Sequence, residues 1–283
     1  MFSAGAFNVF YQQQKLMFME ETPLGQVLQL AYKKQKVFRS AKARFIGRAA
    51  LASMFIGFGV IVAFKTGSFF YNLHSPLTYP MAAFTFGAAI ILIAYGGGDL
   101  FTGNTFYFTY AALDKKIKWR EVLHIWLYSY LGNILGAVAF ALLIMGTGLF
   151  RDNNVNGFLL SVVSYKMNAP MLELFFRGIL CNWLICLAFF IPMALQGDGP
   201  KLFTMVLFVF CFFISGYEHS IANMCTFAIA LVLDHPGTIS VRGVIHNLVP
   251  VTLGNIVGGA VLMGGFYHWL NNKQVNDADA GLH

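Results

Sequence analysis

Long apolar runs separated by short polar links are the main pattern along the 283-residue chain. A helix rises 1.5 Å per residue, so about 20 residues cross a hydrocarbon core of roughly 30 Å, and each run reaches that length. The pattern therefore predicts an all-α polytopic membrane protein with six transmembrane helices. The runs lie at about 45–64, 80–113, 122–145, 171–195, 202–233 and 244–270.

The second and fifth runs are longer than a straight crossing needs, and glycine and polar residues interrupt both. The interruptions are Gly96–Asn104 and Ser215–Asn223. Glycine frees the backbone from helix, and non-helical backbone is tolerated at membrane depth only where protein buries it or where it lines a cavity. We expect both helices to be broken in mid-membrane.

The two interruptions resemble each other. An acidic residue is followed five positions later by asparagine in both, as Asp99 and Asn104 in the first and as Glu218 and Asn223 in the second. Ionisable residues at membrane depth are candidates for function, but these four can also support their loops through hydrogen bonds. We expect loop support from them and leave direct contact with a solute open.

The third span of each half also repeats, since LGNILG at 131–136 recurs as LGNIVG at 253–258. Because each half has an odd number of spans, the two copies must be inverted, and paired broken helices in inverted repeats point to a solute site near the midplane. The predicted organisation is an N-terminal segment at 1–44 with an amphipathic helix at 22–42, a three-span repeat at 45–147, an extracytoplasmic connector at 148–170, a second repeat at 171–270 and a tail at 271–283. The basic side of the amphipathic helix suits anionic headgroups, so we expect it to lie on a membrane face.

Composition and charge agree with a membrane protein, because 58% of the residues are apolar, 11% are charged and the mean hydropathy is +0.64. The net charge of +7 comes from span ends and does not form a nucleic-acid-binding domain. Lys and Arg concentrate on the side of the N-terminus, which predicts that both termini face the cytoplasm. The links on the opposite side of the membrane hold only Lys65, Arg151, Lys166 and Arg242.

Glu173 and Arg177, at the outer start of the fourth span, are spaced for an ion pair one helical turn apart.

Three motifs in order resemble the formate/nitrite transporter family: GDLFT at 98–102, GILCNWL at 178–184 and GYEHSIANM at 216–224. The resemblance runs from about residue 22 to 270. It implies a homopentamer in the cell membrane, an aquaporin-like protomer with its own pore, and transport of small monovalent anions or their acids. We expect no enzymatic activity and no cofactor. We also expect no metal site, because the four cysteines lie inside apolar runs without ligand spacing.

The resemblance also assigns roles to residues. It implies that His219 is the central pore histidine, that Thr102 is its neighbour from the other loop, and that Asn182 is a polar partner. Ile90 departs from relatives that often have leucine there. The positions that correspond to apolar constrictions above and below the histidine are Phe86, Ile90, Leu100 and Phe212.

The solute is expected to be formate, lactate or a similar monocarboxylate that moves with one proton, with nitrite or hydrosulfide as the alternative within the family. A pore of the water or glycerol type is disfavoured because neither loop contains proline. A haem-binding subunit needs facing histidine pairs, which His124, His219, His235 and His246 do not predict. A scaffold without transport leaves the broken spans unexplained.

Overall fold

The computed structural model describes residues 21–271, which form helices and, within that range, no β-strand. Helices satisfy their own backbone hydrogen bonds, as a membrane requires. In chain order they are α1 (Glu21–Ser40), α2 (Lys42–Tyr71), α3 (Thr78–Phe86), α4 (Ala88–Gly96), α5 (Phe101–Leu113), α6 (Trp119–Thr147), α7 (Asn153–Asn168), α8 (Met171–Phe190), α9 (Asp198–Ile214), α10 (Ser220–Leu231), α11 (Val241–Ile256) and α12 (Phe266–Leu270). A 3-10 turn at Ile191–Ala194 extends α8, and a π-helical stretch at Val257–Gly265 joins α11 to α12.

Within residues 21–271, five continuous helical stretches are long and apolar enough to cross a membrane. The remaining predicted span is divided into α9 of 17 residues and α10 of 12 residues, because the chain leaves the helix between them. The prediction of six spans with the second and fifth broken is confirmed. The five stretches are Lys42–Tyr71, Thr78–Gly96, Trp119–Thr147, Met171–Ala194 and Val241–Leu270.

Glycine in the left-handed region ends the helix at both breaks. Gly97 has φ +77° and Gly216 has φ +69°, values that side chains with a Cβ rarely adopt. The non-helical backbone is shorter than the predicted interruptions and covers residues 97–100 and 215–219. The chain therefore re-enters a helix, α5 or α10, while still inside the bundle.

A further discontinuity at Gly87 separates α3 from α4 and was not predicted from the sequence. A Cβ placed on Gly87 would lie 2.8 Å from the side chain of Val206 in α9. The missing side chain thus lets α9 approach the first broken span closely.

The predicted amphipathic helix corresponds to α1, and its apolar face contacts protein. Leu24, Val27 and Ala31 are buried in a cluster with residues of α5 such as Phe106 and Tyr107. The apolar side of α1 therefore faces the bundle, and the contact of its basic side with a membrane face stays a prediction. Residues 1–20 and 272–283 lie outside the described residues. They comprise the first part of the predicted N-terminal segment and all of the predicted tail except Asn271.

The segment at 148–170, predicted only as a connector, contains the helix α7. Its buried residues Phe158, Leu159 and Met167 pack into the main apolar core. The helix α7 precedes the second repeat as α1 precedes the first. The structure therefore extends each repeat by one amphipathic helix.

Small residues let the helices of each repeat pack backbone to backbone. Gly132 and Gly136 on α6 face Ala49 and Ala50 on α2, and Gly254 on α11 faces the carbonyl of Phe175 on α8. A Cβ at any of these three glycines would collide with the partner helix. Close approach of this kind is how membrane helices gain van der Waals contact.

Candidate functional site

The first broken loop is held by Asn133 of α6. Its Oδ1 accepts a hydrogen bond from the backbone N–H of Phe101 at 3.0 Å, and its Nδ2 donates to the carbonyls of Ala49 at 2.7 Å and Asp99 at 3.2 Å. The backbone groups that the break frees are thus satisfied by one buried amide. This side chain ties α2, α6 and the loop together.

The second broken loop is held in the same way by Asn255 of α11. Its Oδ1 accepts from the N–H of Ser220 at 2.9 Å, and its Nδ2 donates to the carbonyls of Gly178 at 2.8 Å and Glu218 at 2.9 Å. The two asparagines, found in the sequence as a repeat, have the same three kinds of partner. This correspondence supports the inverted repeat at the level of single hydrogen bonds.

A lysine, a carboxylate and an amide meet beside the first loop. Lys34 of α1 places its Nζ 2.8 Å from Asp99 Oδ1 and 2.8 Å from Asn104 Oδ1, and Asn104 Nδ2 donates to Asp99 Oδ1 at 2.8 Å. The ammonium also lies 5.1 Å from the ring centre of Tyr107. We call Lys34, Asp99 and Asn104 the α1-side triad.

The second loop carries the matching α7-side triad of Lys166, Glu218 and Asn223. Lys166 Nζ lies 2.9 Å from Glu218 Oε2 and 3.3 Å from Asn223 Oδ1, while Asn223 Nδ2 donates to Glu218 Oε2 at 2.6 Å. Asn223 also donates to Asn247 Oδ1 at 2.9 Å. Sequence reasoning predicted the four loop residues but missed both lysines, which it counted only as charges at span ends.

His219 lies at the start of α10 in extended conformation, with φ −106° and ψ 112°, and is 4% exposed. Its Nδ1 accepts a hydrogen bond from the backbone N–H of Ala222 at 3.0 Å. Its Nε2 lies 3.1 Å from Thr102 Oγ1 of the other half. The structure thus brings the two residues together across the repeat boundary.

These two contacts define the tautomer of the imidazole. A backbone N–H can only donate, so Nδ1 of His219 must be the acceptor and the ring hydrogen of the neutral form lies on Nε2. A proton on Nδ1 would place two N–H donors against each other and would leave the N–H of Ala222 unsatisfied. The arrangement therefore favours a neutral imidazole whose Nε2–H points at Thr102 and the space beside it.

Asn182 of α8 lies behind Thr102, at the packing surface between helices. Its Nδ2 lies 3.3 Å from the carbonyl of Thr102, 3.0 Å from Thr105 Oγ1 and 2.6 Å from the carbonyl of Asn255. It lines none of the three cavities that adjoin the broken loops. Its geometry is that of a brace for the loop that carries Thr102.

A narrow cavity of about 20 Å³ lies in the middle of the bundle. Its space suffices for about one water molecule, so a hydrated ion does not fit. The rings of Phe86 and Phe212 lie 6.0 Å apart, and the ring of Phe212 lies 6.1 Å from the imidazole. All four predicted constriction residues line this cavity together with the histidine: Phe86, Ile90, Leu100, Phe212 and His219.

Two wider cavities open on either side of the narrow one. The α1-side vestibule of about 540 Å³ is lined by cationic side chains together with Leu100, Gly103 and Tyr107. The α7-side vestibule of about 470 Å³ reaches His219 and is lined by the lysine and the carboxylate of its triad, Lys166 and Glu218. The charged lining residues are Lys33, Lys34, Arg48 and Lys201 in the first, and Lys166, Arg177 and Glu218 in the second.

Comparison with known proteins agrees with this arrangement. The family model described as "Formate/nitrite transporter" matches residues 25–269. A Bacillus subtilis (strain 168) protein named "Uncharacterized transporter YwcJ" is 61% identical over 256 residues, which cover 90% of this chain and 100% of that protein. "Nitrite transporter NirC" of Escherichia coli (strain K12) is 39% identical over 80% of this chain and 82% of its own length. "Formate-nitrite transporter" of Plasmodium falciparum (isolate 3D7) is 32% identical over 82% of this chain and 79% of its own length.

Solved structures are similar over nearly their whole length. One described as "FNT family ion channel" has a TM-score of 0.81 and 32% identity, covering 88% of this chain and 98% of that chain. Another, described as "Pentameric formate channel with formate bound", has a TM-score of 0.70 and 26% identity, covering 82% and 98%. The fold of this chain is therefore that of solved membrane channels.

Proposed function

The chain belongs to the formate/nitrite transporter family, and we propose that it carries small monovalent weak-acid anions, formate or lactate foremost, across the membrane together with one proton each. The observation that carries this proposal is that His219 lines an apolar cavity for about one water molecule, which lies between two cationic vestibules, while its Nε2 lies 3.1 Å from Thr102 Oγ1. No enzymatic step is part of the proposal.

The apolar cavity favours passage of the neutral acid. An unpaired anion loses several kcal/mol or more when its hydration is removed. Protonating a carboxylate with a pKa of about 3.9 at pH 7 costs only roughly 4 kcal/mol. The anion collects in a vestibule, takes up a proton as water is lost, and crosses as the acid.

We assign His219 the role of hydrogen-bond donor. A neutral imidazole that gave up its Nε2 hydrogen would become an anion, and a doubly protonated ring would lose its bond from the N–H of Ala222. The proton that crosses with the solute is then supplied by water in the vestibule. His219, whose Nε2 lies against Thr102 Oγ1, guides the oxygen atoms of the solute past the cavity.

Nitrite is the second candidate solute, favoured by the 39% identical relatives named nitrite transporters. Nitrite is also a small weak-acid anion with two oxygen atoms. The same pathway suits both chemistries, and the measurement below compares them.

We further propose a homopentamer in the cell membrane with both termini and the α1-side vestibule on the cytoplasmic side. The pentameric description of one solved relative supports the assembly. The orientation follows from basic residues near α1 and from those between residues 115 and 120, at the start of α6, which positive-inside statistics place in the cytoplasm.

The test is solute flux by purified protein in liposomes. Formate, lactate, acetate, nitrite and hydrosulfide are compared with and without an imposed pH gradient. His219→Phe removes the donor, and His219→Asn keeps a polar side chain that can accept from Ala222. His235→Asn is the matched control, because His235 is a half-buried loop residue that lines neither vestibule nor the narrow cavity. We expect both His219 variants to lose most of the flux and the control to retain it.

Two results would refute the proposal. Flux that does not respond to the pH gradient would exclude proton coupling. Full flux through His219→Phe would remove the central residue from the mechanism.

A further inference from the structure

Each vestibule contains one arginine at an equivalent place in the two repeats. The backbone N–H of Asp99 donates to the carbonyl of Arg48 at 3.0 Å, and the N–H of Glu218 donates to the carbonyl of Arg177 at 3.3 Å. Both arginines are half-buried and both line their vestibule. They are therefore repeat partners that face the pathway from opposite sides.

The lysines of the two triads are already neutralised. Lys34 lies 2.8 Å from Asp99 and Lys166 lies 2.9 Å from Glu218, and the carboxylate side chains are only 1% and 2% exposed. A buried ion pair with amide partners has little charge left to attract a third ion. The net positive charge of each vestibule must come from other groups.

The two arginines differ in their partners. Arg177 pairs with Glu173 at 2.6 Å and its Nη1 donates to Tyr165 Oη at 3.2 Å. In the first repeat, the residue four positions before the arginine is Arg44, which is another cation. Among residues 21–271, Arg48 forms no ion pair within 4.0 Å.

Glycine brings the guanidinium of Arg48 close to the broken loop. A Cβ placed on Gly97 would lie 3.6 Å from Arg48 Nη2, so the fork reaches the end of α4 beside Leu100, where the narrow cavity begins. Lys33 and Lys201 line the same vestibule and add positive charge. Asp99, the acidic residue of the adjoining loop, is engaged by Lys34.

We propose that Arg48 is the docking group for the solute anion in the α1-side vestibule, and that the lysine triads serve to hold the loops. This inference rests on the proposed function. A guanidinium presents paired N–H donors that match the two oxygen atoms of a carboxylate or nitrite, whereas hydrosulfide has no such pair. The site is thus specific for planar oxyanions, and the α7-side vestibule binds them more weakly because Glu173 competes for Arg177.

The test measures initial formate uptake against formate concentration in right-side-out and inverted membrane vesicles at equal pH on both sides. Vesicles without the protein give the background. Arg48→Gln should raise the KM about tenfold in one vesicle orientation only, which corresponds to about 1.4 kcal/mol. Glu173→Gln should lower the KM about two- to threefold in the opposite orientation, because it releases Arg177.

Two further variants separate the effect of the paired N–H donors of the guanidinium from the effect of its positive charge. Arg48→Lys keeps the charge and should raise the KM for formate and nitrite while leaving that for hydrosulfide unchanged. Lys36→Gln removes the same charge from an exposed position on α1 and is the control. All variants are compared at equal protein yield. The substitutions of Arg48 keep its backbone carbonyl, which accepts from the N–H of Asp99, so the loop should keep this hydrogen bond.

An unchanged KM in Arg48→Gln, or an equal change in both orientations, would overturn the docking role. If the wild type itself carries none of the anions above background, the proposed function fails instead. The two failures are therefore distinguishable.

Discussion

Replacing Lys34 with methionine should destabilise the protein. The variant leaves Asp99, whose side chain is 1% exposed, without its cation. Breaking a buried ion pair in this way costs about 3–5 kcal/mol, because an uncompensated charge stays buried.

The expected result is a lowered melting temperature in detergent at pH 7. Lys34→Met combined with Asp99→Asn should melt well above the single variant at pH 7, because no charge remains buried. Lys36→Met on the exposed face of α1 is the control and should not change the melting temperature. A Lys34→Met variant as stable as the wild type at pH 7 would refute the assignment of Lys34 to the triad.

Three further predictions follow from single side chains. Asn255→Ala removes three hydrogen bonds, each of about 1 kcal/mol, and should lower the melting temperature strongly, while Asn271→Ala at the end of α12 should not. Phe212→Ala opens the narrow cavity and should raise the flux of lactate relative to formate; an unchanged ratio would place the constriction elsewhere. A membrane-impermeant maleimide should label Asn72→Cys on intact cells but Lys116→Cys only after permeabilisation, and the reverse pattern would invert the proposed orientation.

The elements of the fold were predictable because their signals are local. An apolar run of sufficient length specifies a span, and Gly97 and Gly216 specify the breaks through their own backbone freedom. The discontinuity at Gly87 was missed, because a single glycine between apolar residues gives no signal until α9 packs against it. The helix α7 was missed because its short apolar face follows a polar link.

The candidate site was predictable only in part. The family resemblance predicted His219, Thr102 and the constriction residues. The structure places the histidine and the four apolar residues around one narrow cavity and places Thr102 against the imidazole. The resemblance named Asn182 a polar partner of the pore, and the structure places it as a brace behind Thr102. A motif identifies which residues belong to a site but not the direction in which a side chain points.

By itself, the sequence determined the number of spans, the two breaks, the inverted repeat and the family, since each of these depends on residues close together in the chain or on copied motifs. Only the tertiary structure decided which charges neutralise each other. Lys34 and Asp99 are 65 residues apart, and Lys166 meets Glu218 through the packing of α7 against the second loop. The same packing leaves Arg48 without an acidic partner among residues 21–271, whereas the pair of Glu173 and Arg177 lies within one helix and follows from its spacing. Long-range pairing depends on how the helices pack in three dimensions, and the hydropathy pattern does not predict it.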